Sequence, residues 1–570
     1  MSANEIYLKW LNSPNVGTFL KEQLQKMSPE EIDDAFYKNI EFGTAGLRGL
    51  LGPGTNRINV FTIRKATIAY ARYLLQTFKD ARERGVVISH DNRYMSREFT
   101  FECASVLNKM GFRAFIFDSL RPTPELSFAI RFKRACGGIM ITASHNPKEY
   151  NGYKVYDETG CQLVPTKIKP LIDIINSMPP EIECEIPVYV LPGEFVILDY
   201  QVDHEYVNLV MSIQINPNLN KKNFKIVYSP QHGTSLINAI RVFKKCGYQI
   251  YPLLKQCAPD PAFSGTATPN PEEVAAYTDS LDYAKEIGAD FVCITDPDGD
   301  RVGIASRSRD GTFRIYNGNE AACILMNYIF QERERLGVLS RDGVMYNTIV
   351  TSSLGEKIAT SFGVKTEQFF TGFKYIGDRI HYYEENRGPT FEFGYEESYG
   401  CLISPFVRDK DGIQAILLYS EMALYYKLQN KTLDEVYDEI QKTFGYHYEI
   451  THSIFFSGSK GNQDMINIIN EIRKNPLIEL NGHKVTKFND YLNQVSYSDG
   501  QVKKIEGLGS SNVLKFFFDD GSTICVRPSG TEPKCKFYVE AVSDSNAKAI
   551  EKETSYYKEF MTKYSIPETL

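Results

Sequence analysis

GGIMITASHNPKEYNGYKVY, residues 137–156, opens on two glycines and an apolar run that reads as a short buried strand, Gly137–Thr142. Ser144 comes directly after it, at a strand end, where α/β proteins place their chemistry. His145 and Asn146 follow, and Pro147 stops any direct continuation. Asn151-Gly152 predicts a tight turn that returns the chain through Tyr153-Lys154-Val155-Tyr156. Such a turn brings the Lys154 ammonium back beside the Ser144 hydroxyl, so that a nucleophilic oxygen, an imidazole and an ammonium share one short stretch. A surface loop can carry the same residues by accident; the rest of the chain decides.

Upstream, residues 5–40 read as helices, with Ser28-Pro29-Glu30-Glu31 as a cap and first turn. Phe42-Gly43-Thr44-Ala45-Gly46-Leu47-Arg48-Gly49 breaks the pattern and predicts a loop whose backbone and Arg48 approach an anion. Helix 63–78, strand 85–90 ending at Asp91-Asn92-Arg93, helix 98–110, strand 113–118 and the turn Arg121-Pro122-Thr123-Pro124 then alternate, the mark of a layered α/β fold. Downstream, strand 224–229 ends at Pro230-Gln231-His232-Gly233-Thr234, and a helical segment over 271–287 leads into strand 291–295.

That strand delivers Asp296-Pro297-Asp298-Gly299-Asp300-Arg301. Three carboxylates at alternate positions in a tight loop repel one another unless a cation lies among them, and oxygen-only ligands point to a hard ion such as Mg²⁺. An EF-hand loop is excluded, because its sixth position would be Arg301 and its twelfth Arg307. Thr371-Gly372-Phe373-Lys374-Tyr375-Ile376 and Gly394-Tyr395-Glu396-Glu397-Ser398-Tyr399-Gly400 follow in a third α/β stretch. In the second of these, glycines frame a carboxylate and a hydroxyl two residues apart, suited to the vicinal hydroxyls of a sugar. Arg408-Asp409-Lys410-Asp411-Gly412 opens helix 412–428. The last segment, more strand-like, holds Arg527-Pro528-Ser529-Gly530-Thr531, an anion nest of guanidinium, hydroxyls and backbone N–H groups.

Composition narrows the function classes. The 570 residues exceed a single core, and 42% hydrophobic with 24% charged residues is ordinary for a soluble globular protein. A net charge of -7 argues against nucleic-acid binding, since no basic excess exists to neutralise phosphates along a duplex. Eleven cysteines without a CxxC pair read as buried thiols of a reducing, cytoplasmic setting. No apolar run approaches membrane-spanning length.

TASHNP at 142–147, DPDGD at 296–300, GYEESYG at 394–400 and RPSGT at 527–531, with FGTAGLRG at 42–49 and TGFKYI at 371–376, together resemble the signature loops of the α-D-phosphohexomutase superfamily, in order. The pattern is most similar to its longer phosphoglucomutase/phosphomannomutase members of bacterial type. The resemblance implies a heart-shaped, four-domain α/β architecture around a central cleft: three related mixed-sheet α/β domains (1–203, 204–316, 317–445) and a C-terminal α+β domain (446–570). It further implies a phosphorylated serine at Ser144, which joins Asp296, Asp298 and Asp300 as a Mg²⁺ ligand. Glu396 and Ser398 would select sugar hydroxyls, with Thr371 and Gly372 in the substrate-binding set. Arg527, Ser529, Gly530 and Thr531 would bind the distal phosphate, while Arg48, His145, Lys154, Arg301 and Lys410 would surround the transferring phosphoryl group.

The implied activity is Mg²⁺-dependent interconversion of glucose 1-phosphate and glucose 6-phosphate through glucose 1,6-bisphosphate, by a monomer or weak dimer whose partners are small-molecule sugar phosphates. Phosphomannomutase and phosphopentomutase are the alternatives within the superfamily. Gly400 stands where dual-specificity members often carry His, which favours glucose, and Tyr395 and Tyr399 flank the sugar loop. Phosphoryl transfer asks a protein chiefly for positioning and charge stabilisation, plus a base for the attacking hydroxyl. Lys154 and His145 are both candidates for that base. A phosphatase, or a catalytically silent phosphosugar-binding protein, is the reading from another class.

Overall fold

The computed structural model describes residues 1–43, 46–456, 461–529 and 534–566, apart from the side chain of Asn462. They form two compact units, Met1–Tyr346 with Gly372–Leu433, and Asn347–Thr371 with Asp434–Leu570.

The first unit begins with three helices, Ala3–Asn12, Thr18–Leu24 and Pro29–Phe36. Ser28 caps the third as the sequence anticipates: its hydroxyl accepts from the Glu31 N–H, and the Glu31 carboxylate accepts from the Ser28 N–H. Trp10, Leu24, Phe36 and Phe61 bury the faces between these helices and the body that follows.

That body is built on sheets of one plan. Strands β1 (Leu47–Leu50), β2 (Val86–His90), β3 (Ala114–Phe117), β4 (Gly137–Ile141), β5 (Tyr150–Asp157) and β6 (Phe195–Leu198) run in the order β1-β5-β4-β2-β3-β6. β4, β2, β3 and β6 are parallel, whereas β5 and β1 are antiparallel additions at one side. β7 (Lys225–Ser229), β8 (Gln249–Pro252), β9 (Phe291–Thr295), β10 (Val302–Arg307) and β11 (Phe313–Tyr316) repeat this, in the order β11-β10-β9-β7-β8. Again a parallel set, β9, β7 and β8, is extended by the antiparallel β10 and β11. β12 (Gly343–Thr348) pairs parallel with β14 (Thr390–Glu396), which turns back antiparallel into β15 (Gly400–Leu402). β13 (Lys365–Phe369) belongs to the second unit. Ser144, the three aspartates and Ser398 therefore occupy one topological position, the hairpin where the sheet switches from parallel to antiparallel.

Three local expectations are corrected. Asn151-Gly152 is no turn; both residues lie inside β5, and the reversal is made by residues 142–149. Gly152 is there for close approach, since a Cβ would sit 2.5 Å from the Thr142 carbonyl oxygen and 2.7 Å from that of Leu47. Residues 47–50 are not loop but the edge strand β1, with Arg48 opposite Gly152. The helix expected over 271–287 starts at Thr278, after a 3₁₀ turn Val274–Tyr277.

The second unit carries an antiparallel sheet: β16 (Tyr446–Phe455), β17 (Glu479–Leu480), β18 (His483–Asp490), β19 (Val495–Ser498), β20 (Gln501–Lys504), β21 (Leu514–Phe518), β22 (Thr523–Pro528) and β23 (Lys534–Ser543). The order is β16-β23-β22-β21-β18-β19-β20, with β17 on β18. Helices Gly461–Lys474 and Asn546–Lys563 close its apolar core of Phe488, Phe516, Phe537 and Phe560, completing an α+β body.

A polar knot ties residues 347–371 to this sheet. Glu540, buried on β23, accepts from the Ser352 hydroxyl at 2.7 Å, the Ser353 N–H at 2.8 Å and His447 Nδ1 at 2.9 Å. Lys357 Nζ lies 3.0 Å from His447 Nε2. The buried Lys515 ammonium donates to the Ile349 carbonyl at 2.6 Å. Among the described residues, no helix is long and apolar enough to cross a membrane.

Candidate active site

The loop after β4 places Ser144 in the left-handed region, φ 53°, with its N–H held by the Thr142 hydroxyl at 2.8 Å. A non-glycine residue there is strained and must be held by its surroundings. Arg93 does so: its buried guanidinium donates to the carbonyls of Ser144, Asn146, Pro147 and Tyr150. Ser144 is 3% exposed, and its hydroxyl donates to Asp296 Oδ2 at 2.8 Å. His145 Nδ1 stands 3.3 Å from the same Oγ. Arg48, exposed on β1, reaches the loop from the other side and donates to Asn146 Oδ1 at 3.2 Å.

The loop after β9 brings Asp296, Asp298 and Asp300 together, all buried, with one oxygen of each within 4.8 Å of the others. Asp296 Oδ1 accepts from the N–H groups of Asp300 and Arg301, which coils the loop. Three neighbours brace it. Thr123 donates its N–H to the Asp298 carbonyl at 2.8 Å and its hydroxyl to Asp298 Oδ2 at 3.2 Å. Thr234 donates twice to the Pro297 carbonyl, and Gly233 has no room for a side chain, its Cβ position lying 2.4 Å from Pro297 Cα. Gly412 N–H donates to the Gly299 carbonyl at 3.1 Å.

Charge is distributed unevenly across this cluster. Burial, reinforced by Asp298 and Asp300, pushes the Asp296 carboxyl well above its ordinary value. Burial works the same way on Asp298, but Lys154 outweighs it and holds that carboxyl below the usual carboxylate range. Lys154 Nζ lies 2.8 Å from Asp298 Oδ2 and 3.8 Å from Asp300 Oδ2, and these partners keep it charged against burial. Lys410 Nζ, 3.3 Å from Asp300 and 3.6 Å from Glu396, is raised for the same reason. His145 is driven well below its ordinary value by burial and by the charges of Arg301 and Arg48, so its imidazole is neutral at neutral pH. Arg301 pairs with Glu272 and lies 3.9 Å from Asp300.

The donor set fits Mg²⁺. It is oxygen-only, the carboxylates crowd one point, and Asp298 Oδ1 and Asp300 Oδ1 are buried with no hydrogen-bond partner.

At the third hairpin Glu396 is buried, accepts from the Gly372 N–H at 2.7 Å and faces Lys410. Ser398 is half-buried in the turn beyond it. A Cβ at Gly400 would lie 2.0 Å from Lys410 Cδ, so the bare glycine is what lets Lys410 extend to Asp300 and Glu396. Tyr395, expected to flank the sugar loop, is instead fully buried with its ring against Phe393. β14 is buried continuously from Glu392 to Glu396, on both faces.

The first unit thus unites Ser144, His145, Lys154, Arg48, the three aspartates, Arg301, Gly372, Glu396, Ser398 and Lys410. Thr371, half-buried, ends the 347–371 segment of the second unit, next in sequence to Gly372. Arg527 and Ser529 also belong to the second unit: Arg527 Nη1 lies 3.4 Å from the Tyr538 hydroxyl, and the Ser529 N–H donates to the Lys534 carbonyl at 2.7 Å. Gly530 and Thr531 lie outside the described residues. Sequence reasoning passed over Arg93, Thr123 and Thr234. Each sits at a strand end noted only as a turn, and only its distant partners reveal its part.

The chain matches known proteins along most of its length. The phosphoglucomutase/phosphomannomutase alpha/beta/alpha domain I, II and III models match residues 39–180, 204–310 and 317–444, and the C-terminal domain model matches 481–555. A phosphoglucomutase of Staphylococcus aureus strain N315 is 36% identical over 539 residues, spanning 93% of this chain and 94% of that protein. One from Staphylococcus epidermidis is 34% identical over 532 residues, 92% and 95% of the two chains. In fold, the chain resembles the Paramecium phosphoprotein pp63/parafusin in its open form (TM-score 0.69, 19% identity, covering 93% of this chain and 96% of that one). It also resembles a phosphoglucomutase/phosphomannomutase family protein of Burkholderia thailandensis (TM-score 0.67, 17% identity, covering 93% and 98%).

Proposed function

The chain belongs to the phosphoglucomutase/phosphomannomutase family, and on that premise we propose that it is a phosphohexomutase that interconverts glucose 1-phosphate and glucose 6-phosphate. The observation that carries the reading is the Ser144 hydroxyl, hydrogen-bonded to Asp296 at 2.8 Å inside a triad of buried carboxylates. A nucleophilic oxygen gains nothing from anionic neighbours unless a cation stands between them. Asp296, Asp298 and Asp300 would hold Mg²⁺ together with Ser144; bound there, the ion supplies charge neutralisation of the phosphoserine and makes Oγ a better leaving group.

In the proposed cycle, O6 of glucose 1-phosphate attacks the phosphorus of phospho-Ser144; the P–Oγ bond breaks and the O6 proton passes to the departing Ser144 Oγ. The 1,6-bisphosphate turns over, Ser144 Oγ attacks the phosphoryl on O1, the P–O1 bond breaks, the departing O1 takes up the proton given up by Ser144, and glucose 6-phosphate leaves. In this return step the Ser144 proton needs an acceptor. His145 Nδ1, neutral and 3.3 Å from Oγ, is assigned that role. Lys154, charged and committed to Asp298, serves as a fixed cation for the transferring group, as do Arg48, Arg301 and Lys410. Glu396 and Ser398, with Thr371 and Gly372, are assigned to the sugar hydroxyls, and Arg527, Ser529, Gly530 and Thr531 to the phosphate not being transferred. Glucose preference is supported by the names of the similar Staphylococcus proteins and by Gly400.

A coupled assay with Mg²⁺ and a trace of glucose 1,6-bisphosphate tests this, comparing glucose 1-phosphate, mannose 1-phosphate and ribose 1-phosphate. The expected result is turnover chiefly of glucose 1-phosphate, abolished by Ser144→Ala. Release of inorganic phosphate in place of isomerisation would make the protein a phosphatase. No turnover of any substrate by a Mg²⁺-binding protein would leave the silent binder.

A further inference from the structure

The N-terminal helices enclose, with the first α/β domain, a cavity of about 630 Å³. Ile6, Lys9 and Trp10 form one wall; Phe42, Leu47, Ile172 and Ile175 form the apolar interior. Glu181 closes one side from a 3₁₀ turn, Glu181–Glu183, which Asn15 pins by donating to the Ile182 carbonyl at 2.9 Å. Glu181 is 4% exposed, yet its Oε1 has no hydrogen-bond partner. A buried carboxylate oxygen without a donor is costly, and native proteins rarely leave one so. The Trp10 indole bears on the carboxyl group but leaves Oε1 unmet, and the neighbouring hydroxyls offer no relief: Thr55 is donating to the Lys38 carbonyl and Thr62 to the Arg57 carbonyl.

The charges around the carboxylate specify what would satisfy it. Lys65, half-buried in the lining, bears electrostatically on Glu181, and Lys9 stands exposed beside Trp10. Of the charged side chains in the lining, Glu41, Glu183 and Lys9 are exposed and only Glu181 and Lys65 are withdrawn from solvent, so a ligand inside meets one carboxylate acceptor, one ammonium and an apolar interior. A plain cation would face Lys65 as well as Glu181, and a plain anion would face Glu181 as well as Lys65, whereas a zwitterion meets each with its opposite. The volume lies within the range of small-molecule sites, roughly 300–1,000 Å³. Met1, Ile6, Lys9 and Trp10 of the lining precede the matched family domain at 39–180, and Glu181, Ile182 and Glu183 follow it.

We propose that this cavity binds a small zwitterion with an apolar body, an apolar α-amino acid, its ammonium on Glu181, its carboxylate toward Lys65 and its side chain against Phe42, Ile172 and Ile175. The occupant touches Leu47, the sequence neighbour of Arg48, which donates to Asn146 in the Ser144 loop.

Trp10 is the single tryptophan of the chain and lines the cavity, so its emission reports occupancy in the full-length protein. L-leucine and L-phenylalanine are titrated alongside isoamylamine, which lacks the carboxylate, and 4-methylpentanoate, which lacks the ammonium. The expected result is a saturable change with at least one amino acid, at least tenfold weaker for both truncated probes. Glu181→Gln and Lys65→Met should each weaken amino-acid binding about tenfold or more, the loss of one charge-assisted contact. No saturable change in emission or Tm with either amino acid up to about 10 mM would overturn the proposal. So would equal binding of isoamylamine, or affinity unchanged in a folded Glu181→Gln protein; the truncated probes need no variant and decide even if both substitutions fail to fold.

Discussion

Two buried carboxylate clusters invite comparison, Asp296–Asp298–Asp300 in the first unit and Glu540 in the second. Both sit at nearly zero exposure, and both have lysines nearby. Glu540 is surrounded by donors of its own chain, two serines, a peptide N–H and a histidine, and is drawn down to about 2 as these outweigh burial. The aspartates face one another, leave two oxygens unpartnered and push Asp296 up. Equal burial and equal charge type thus give opposite outcomes: one arrangement is finished by the fold, the other is finished only by something that binds.

The largest effect separates them by activity. Asp298→Asn should lower turnover of glucose 1-phosphate by about a thousandfold or more, the scale of losing a preorganised charge in a transition state. It should also remove the rise in Tm that Mg²⁺ gives the wild type. Glu540→Ala should do the reverse. Breaking a buried network by one partner costs about 3–5 kcal/mol, read as a lower urea midpoint, while Mg²⁺ binding to the first unit stays intact. A Glu540→Ala protein of wild-type stability would erase the distinction.

Gly400→Ala tests the cation side of the first cluster. The methyl group would collide with Lys410 Cδ, 2.0 Å away, and swing the ammonium off Asp300 and Glu396. Loss of one charge-assisted contact predicts a drop of about ten- to a hundredfold in kcat/KM with Tm little changed. The smallest effect is a slope. Glu540 has a folded value of about 2 against an ordinary 4.5, so its contribution is complete above pH 4.5 and is lost as pH falls towards 2. Stability measured across that window should decline more steeply in the wild type than in Glu540→Gln; identical slopes would mean that His447 and the serines do not hold the carboxylate as drawn.

The carboxylate triad was legible because its chemistry is local: three aspartates two residues apart need no tertiary information to be recognised as crowded. Ser144 was legible for the same reason, following a strand that ends in Gly-flanked apolar residues. What escaped was everything that depends on distant partners. Arg93 grips a loop more than fifty residues on, and Thr123 meets Asp298 175 positions away. Asn151-Gly152 carries the composition of a turn, but its glycine answers to two carbonyls that only the folded sheet brings near. Tyr395 flanks the sugar loop in sequence, but its full burial appears only in the folded sheet. The alternating strands and helices announced α/β layers, yet the repeated hairpin that carries each candidate site loop appears only once the strands are paired.

The polar knot at Glu540 sets a condition on how the molecule can be taken apart. A fragment cut at residue 445, where the last sheet begins, would carry Glu540 and Lys515 but leave Ser352, Ser353 and the Ile349 carbonyl behind. Glu540 would keep His447 but lose both serines and the Ser353 N–H, and Lys515 would lose its carbonyl. Folding that fragment alone would require grafting residues 347–371 back onto it, so the smallest self-sufficient piece of the C-terminal region is not a continuous stretch of the gene.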